Sequence, residues 1–369
     1  MARGDPARER SDGRSSERSN ELSGEVEADR AHGLARGRGR AWTLLLAVAA
    51  RRRAGTLPHG PAAVRLRDDG TLEQLDRRDA RAELSRREDG TFAVGPGLDD
   101  GQRDFVELYL PMLGRRDDES SVVAHLGQSV DGCIATASGH SAAVTGTADF
   151  VHMHRLRALA DAVLVGAGTV EADDPRLTTR LVDGPSPVRV VIDPRARLAE
   201  SFGVFTDGAA PTLRVRAAGN AKGVRAGGGA EDGRDAGNDD DGKRPDTADT
   251  PEVGTIAVEA DPDGGVSLPE LLRALRGRGI RIVFIEGGGV TVTRWLHAGL
   301  LDRLHLVVAP VLIGGGRPAL DLPPIATMAE SLRPRCRLHL LGQDVLWDFD
   351  LRDVADDDAT TGDTCRRLS

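Results

Sequence analysis

"RIVFIEGGGVTVTRWLHAGLLDRLHLVVAPVLIG" (281–314) passes from an apolar run through three glycines into a helical pattern, and then into a second apolar run. The first run reads as a buried strand, "VTRWLHAG" as a helix stopped by Gly299, and "RLHLVVAPVLIG" as another strand. Two apolar strands joined by a helix form the unit of a parallel sheet covered on both faces. Three adjacent glycines at a strand end cost backbone entropy. Their usual uses are a turn with positive φ or a backbone that a ligand must approach closely. A strand, glycine turn and helix start aim N–H groups at an anion, so a phosphate is one reading and a ligand-free tight turn the other.

The same alternation extends outward from Ser120. "SVVAHLGQS", "DAVLVG", "VRVVID" and "TLRVR" read as strands, and "ADFVHMHRLRALA" has Phe150, Met153, Leu156 and Ala160 at helical spacing. "SLPELLRALRGRG" opens with Ser267 and Glu270 in capping-box spacing and closes at Gly277 or Gly279. "CRLHLLGQDVLWDFDLR" (336–352) reads as a closing antiparallel hairpin. The expected fold is α/β, with a mostly parallel central sheet, flanking helices and that C-terminal hairpin, over residues 120–352. Residues 217–250 are Gly-, Ala- and Asp-rich without periodicity; they read as a disordered surface insertion whose removal should leave activity nearly unchanged. Residues 1–40 lack the apolar content to offset their ordering entropy and read as a disordered tail; residues from Asp353 read as a flexible one. Residues 41–115 form a poorly defined N-terminal extension, with one short helix, "AWTLLLAVAA", packed on the body, and short strands such as "AAVRLR" and "FVELYL".

Composition narrows the functional classes. Of 369 residues, 39% are hydrophobic and only 3% aromatic, so the core is Val, Leu and Ala. A net charge of −9 disfavours nucleic acid as the principal partner. Cys133, Cys336 and Cys365 are odd in number and far apart, which points to a reducing, cytoplasmic setting without structural zinc. "AWTLLLAVAA" is half the length of a membrane span and has basic flanks on both sides.

A second glycine turn, "VLVGAGTVEADDP" (163–175), also ends a strand. Neither turn fits the dinucleotide fingerprint, since Glu171 and Val292 stand at the third glycine position. Two such turns at the carboxyl ends of parallel strands could still grip one extended phosphate-bearing ligand. Arg157 and Arg180 are candidate phosphate or carboxylate anchors, although each taken singly reads first as a solvated helix or loop residue. Asp173 and Asp174 have no histidine or further carboxylate at ligand spacing, so no metal is expected there. Glu286, at the end of a buried strand, either helps cap the glycine turn or binds a polar ligand.

"HLGQSVDGCIATASGHS", "HRLRALADAVLVGAGTVEADDPRLTTR", "VRVVIDPRARL", "IRIVFIEGGG" and "LDRLHLVVAPVLIGGGRP" together resemble the reductase domain of the bacterial riboflavin-biosynthesis deaminase-reductase. The resemblance implies a dihydrofolate-reductase-like fold and NADPH-dependent reduction of the ribosyl group of 5-amino-6-(5-phosphoribosylamino)uracil to ribityl. It also implies a homodimer, with a small phosphorylated pyrimidine rather than nucleic acid or membrane as the partner. By motif position the cofactor side would be Gly127, Thr169, Asp173 and the turn Gly288, Gly289, Val290, Thr291, Val292, Thr293 and Arg294. The substrate side would be Ser141, Arg157, Leu177, Arg180 and Glu286, with Glu286 also the candidate catalytic group. Arg195 or Arg197 could meet the 2′-phosphate of NADP. Ala143 stands where many members have Trp, His125 where Lys is common, Cys133 where Lys or Arg is usual, and Pro194 where Ser is common. The zinc signature of the accompanying deaminase is missing from the sequence. Two alternatives stay open: a reductase of another pterin- or pyrimidine-like compound, and a catalytically silent nucleotide-binding regulatory protein.

Overall fold

The computed structural model describes residues 35–58, 60–116, 118–141, 144–218 and 253–352. The expected tails outside 35–352, nearly all of the 217–250 segment, Ala143 and Cys365 lie outside the described residues. The N-terminal part comprises α1 (Ala35–Arg53), β1 (Ala62–Leu66), β2 (Leu72–Leu75), β3 (Leu84–Arg86), β4 (Phe92–Val94) and α2 (Asp100–Leu113). Next come β5 (Ser121–Ser129), β6 (Cys133–Ala135), α3 (Thr147–Leu159), β7 (Ala162–Gly166), α4 (Ala167–Asp173), β8 (Val188–Ile192), α5 (Gly203–Thr206) and β9 (Thr212–Ala217). The chain continues with β10 (Val253–Val258), α6 (Leu268–Arg276), β11 (Ile282–Glu286), α7 (Gly289–His297), β12 (Arg303–Ala309) and β13 (Arg317–Pro318). The hairpin β14 (Arg335–Leu341) and β15 (Asp344–Asp350) closes it.

The main sheet has the order β10-β9-β8-β7-β11-β5-β12-β15-β14. From β10 to β12 every neighbour is parallel, and only the closing hairpin is antiparallel. The expected α/β class, largely parallel sheet and C-terminal hairpin are all present. Alternation along each strand divides the core in two. Val123, Val163, Val165, Val191, Phe284 and Val307 face one apolar cluster, whereas Val122, Ala124, Leu164, Val190, Val283 and Ile285 face the other. α6 and α7 cover the second face through Leu271, Leu275, Val292 and Trp295.

The first face is covered by α3 and by the N-terminal part. Trp42 of α1 donates its indole N–H to Asp183 O (3.0 Å), and Arg53 reaches Ala158 O (2.7 Å) and Asp161 Oδ1 (3.1 Å). "FVELYL" is helical, inside α2, rather than the expected strand. Asp99 and Gln102 form a reciprocal capping box, and Val106, Tyr109, Leu110 and Leu113 recur at helical spacing on a buried face. α1 starts at Ala35, inside the stretch expected to be a disordered tail, and Arg40 anchors it on Glu83 (2.9 Å). At α6 the capping box does not form: Ser267 makes no side-chain cap, and Glu270 accepts from the Glu259 N–H instead.

β9 and β10 are parallel partners, with Ala217 opposite Val258 and Thr212 opposite Val253. Ala217 and Val253 therefore sit at opposite ends of six-residue strands, about 20 Å apart. The chain joining them is a crossover connection, so its complete removal is not the neutral change expected from its composition.

Candidate active site

The carboxyl ends of β5, β7, β8 and β11 open into a cleft of about 1010 Å³. Both glycine turns reach it and touch each other: Gly288 N–H donates to Thr169 Oγ1 (3.3 Å), and a Cβ on Gly166 would meet Thr291 Oγ1 at 2.7 Å. Adjacency of β7 and β11 in the sheet brings the turns together. No side chain caps α7 at Gly288; the Thr291 N–H bonds to Gly288 O (3.0 Å), which leaves those of Gly289 and Val290, two residues that line the cleft, without a helical partner.

Of the residues expected from sequence, Gly127, Ser141, Thr169, Asp173, Glu286, Gly288, Gly289, Val290, Thr291 and Arg294 line this cleft. The helical turn of α7 carries the rest of its run away. Val292 is fully buried in the apolar cluster behind, and Thr293 Oγ1 accepts from Asp321 N–H (3.1 Å). Arg294 reaches the cleft but is paired with Asp261. Leu177 is buried at φ 56°, a left-handed conformation that a branched side chain tolerates only when packing imposes it. Arg180 is exposed and is not among the residues that line the cleft; among the described residues its guanidinium bonds to Thr178, through Oγ1 (2.7 Å) and the carbonyl (3.4 Å).

Arg157 and Glu286 form a forked ion pair. Arg157 Nε donates to Oε2 (2.8 Å) and Nη2 to Oε1, while Nη1 donates to Thr178 O (2.9 Å). Beside it lies a second buried pair, His125 Nε2 to Asp149 Oδ1 (2.8 Å). His125 and Glu286 are register partners on β5 and β11, so the two pairs share one face of the sheet under α3. Burial pushes the His125 imidazole down. The charge and hydrogen bond of Asp149, with Glu286 behind, outweigh it against Arg157 and leave the ring more basic than usual. His154 is the opposite case: burial, then Arg157 and Arg180, push it down to about 3, and its Nδ1 accepts from the Arg180 N–H (2.8 Å).

Three features of the cleft escaped the sequence. Asp149 lies in the first turn of α3, 24 residues from its His125 partner, and at that position an acidic residue reads as ordinary helix-terminus charge. Trp295 lines the cleft with a buried indole N–H that has no acceptor among the described residues. Arg317 reaches the cleft from β13, too short a strand for any periodicity. The two arginines considered for a 2′-phosphate both line the cleft; Arg197 pairs with Glu171, whereas Arg195 has no ion pair among the described residues. Among those residues no group of three or more His, Cys, Asp or Glu side chains is placed to hold a metal, and no helix is long and apolar enough to cross a membrane.

A model of the RibD C-terminal domain matches residues 120–343, more than half of the chain. The chain belongs to that family. The RibD C-terminal match starts just before β5 and ends in the turn between β14 and β15, so α1, α2 and β1–β4 lie outside it. The 2,5-diamino-6-ribosylamino-4(3H)-pyrimidinone 5′-phosphate reductase of Methanothermobacter thermautotrophicus is 33% identical over 237 residues, covering 63% of this chain and 98% of that protein. The riboflavin biosynthesis protein RibD of Bacillus amyloliquefaciens is 36% identical over 188 residues, covering 51% of this chain. The chain spans only 44% of that longer RibD protein. Among solved structures, a crystal form of Acinetobacter baumannii RibD aligns at 25% identity and a TM-score of 0.49, over 68% of this chain and 62% of that one.

Proposed function

We propose that the chain is an NADPH-dependent reductase of riboflavin biosynthesis. In this reading it reduces the ribosyl group of 5-amino-6-(5-phosphoribosylamino)uracil to ribityl, as a cytoplasmic homodimer. The observation that carries the reading is the meeting of two glycine-ended parallel strands with the Glu286–Arg157 pair at one cleft.

NADPH fits the donors present there. The uncapped start of α7 offers N–H groups to a phosphate, Thr169 lies beside it, and Arg195 is a cation with no ion pair among the described residues. When bound, the cofactor supplies the hydride; the protein orients it and excludes water. On the substrate side, Arg180 is the better phosphate anchor, because Arg157 is already committed to Glu286 and Thr178. Arg157 then acts as the positioning residue that fixes the Glu286 carboxylate toward a polar group of the pyrimidine or ribose. Ser141 lines the same cleft as Glu286.

A second reading takes the 2-amino pyrimidinone phosphate for which the archaeal relative is named. The His125–Asp149 pair at the cleft favours it, because a carboxylate suits a base rich in N–H donors. Offering both nucleotides with NADPH and identifying the product separates the readings. A protein that binds NADPH and turns over neither would instead be the silent nucleotide-binding alternative.

A further inference from the structure

Asp149 has no exposed surface, yet only one of its two carboxylate oxygens has a partner. Oδ1 is held by His125 Nε2, whereas Oδ2 is buried without any hydrogen-bond partner among the described residues. A buried charge-bearing oxygen left unpaired is expensive, and such orphans cluster where a ligand completes the site. Asp149 lines the cleft. Gly127 lies against this oxygen: a Cβ built there would stand 3.5 Å from Oδ2. Gly127 itself is dictated by Thr145, whose Cγ2 would lie 2.6 Å from that Cβ.

The surroundings state what Oδ2 can accept. Asp149 lines the cleft together with Ser141, Phe150, Met153 and Glu286. A carboxylate there repels phosphate and attracts a neutral N–H donor. We propose that Asp149 is a substrate-binding residue whose Oδ2 accepts a hydrogen bond from an N–H or amino group of the bound pyrimidine, with His125 as the residue that positions it. The inference rests on the reductase reading above and adds the contact that orients the base. His125 takes the place of a permanently charged lysine common in the resembling family. As a ring with one nitrogen on Oδ1, it fixes the carboxylate plane as a flexible ammonium would not.

The test is Asp149→Asn in the full chain, which keeps shape and removes the charge. Two quantities are read: KM for the phosphoribosylaminopyrimidine and the Kd of NADPH by fluorescence titration. Loss of a hydrogen bond to a charged acceptor should raise KM roughly ten- to hundredfold while leaving the NADPH Kd unchanged. An unchanged KM overturns the proposal. An NADPH Kd raised by the same factor also overturns it, because the carboxylate would then face the nicotinamide. Should the variant fail to fold, His125→Gln carries the test, since it retains a donor to Oδ1 but loosens its geometry. KM should rise severalfold with NADPH affinity intact, and no rise overturns the proposal. A wild-type chain that neither binds nor turns over the aminopyrimidine nucleotide overturns this inference and the reductase reading together. Wild-type turnover with an indifferent Asp149→Asn variant sinks the inference alone.

Discussion

Arg157 lays its Nε and Nη2 on the two oxygens of Glu286, tying α3 to the carboxyl end of β11 beside the glycine turn. The Arg157 side chain is 7% exposed and that of Glu286 16%, so the pair is buried on the protein side and opens slightly to the cleft. Removing one partner leaves the other charge stranded. Arg157→Met should therefore cost about 3 kcal/mol in chemical denaturation, the low end for a buried pair, and Arg157→Lys less. If Arg157→Met leaves stability unchanged, the fork is not a structural element and a direct phosphate role for Arg157 returns.

Arg180 makes no ion pair among the described residues and is exposed. Arg180→Ala should leave the melting temperature nearly constant and raise KM for the phosphorylated substrate by at least about tenfold, the effect of losing one charge-assisted contact. A dephosphorylated substrate should show no such difference between the two proteins. Equal KM values for the phosphorylated substrate would remove the anchor role.

Neighbouring glycines should respond differently to the same change. A Cβ on Gly288 meets only Thr169 Oγ1, at 3.8 Å, and its φ is −62°, so Gly288→Val should fold while obstructing the start of α7 and weakening NADPH binding. A Cβ on Gly289 would lie 2.2 Å from Ala319 O, so Gly289→Val should lose stability outright. Thermal melts and NADPH titrations of the two variants distinguish the outcomes, and wild-type NADPH affinity in folded Gly288→Val would refute the close-approach reading.

Acid should destabilise the chain through its buried neutral histidines. His154 falls from an ordinary 6.5 to about 3, chiefly by burial, and burial also pushes His152 and His305 down. A depressed pKa gives stability that is fully present above 6.5 and lost as pH falls toward the folded value. The melting temperature should therefore drop between pH 6.5 and about 3 in wild type, and His154→Gln should flatten part of that slope. His125 runs the other way, since its raised pKa contributes below 6.5 and fades as pH rises through the folded value. An identical acid slope in His154→Gln would contradict the assignment.

Much of the architecture was legible because each strand of the parallel sheet is a short apolar run ended by a turn residue, as in 162–166 and 282–286. The two glycine turns were legible for the same reason, and their motif order named the cleft-lining residues on them. The region 41–115 was harder. "FVELYL" has strand-like composition, and only the capping box at Asp99 and Gln102, with spacing counted over the longer window, favours a helix. The pairing of Asp149 with His125 joins two elements through tertiary packing and leaves no trace in local spacing. The connection between β9 and β10 was misjudged because composition carries no information about strand direction. A linker of about a dozen residues in place of 219–252 should fold, and direct fusion should not.

The most direct test of the account is a single turnover with NADPH carrying deuterium at the transferred position, the phosphoribosylaminopyrimidine being generated in situ. The reductase reading predicts NADPH oxidation and a ribitylamino product heavier by one deuterium at the former ribose C1′. NADPH bound but unoxidised, with the ribosyl nucleotide recovered unchanged, would contradict it.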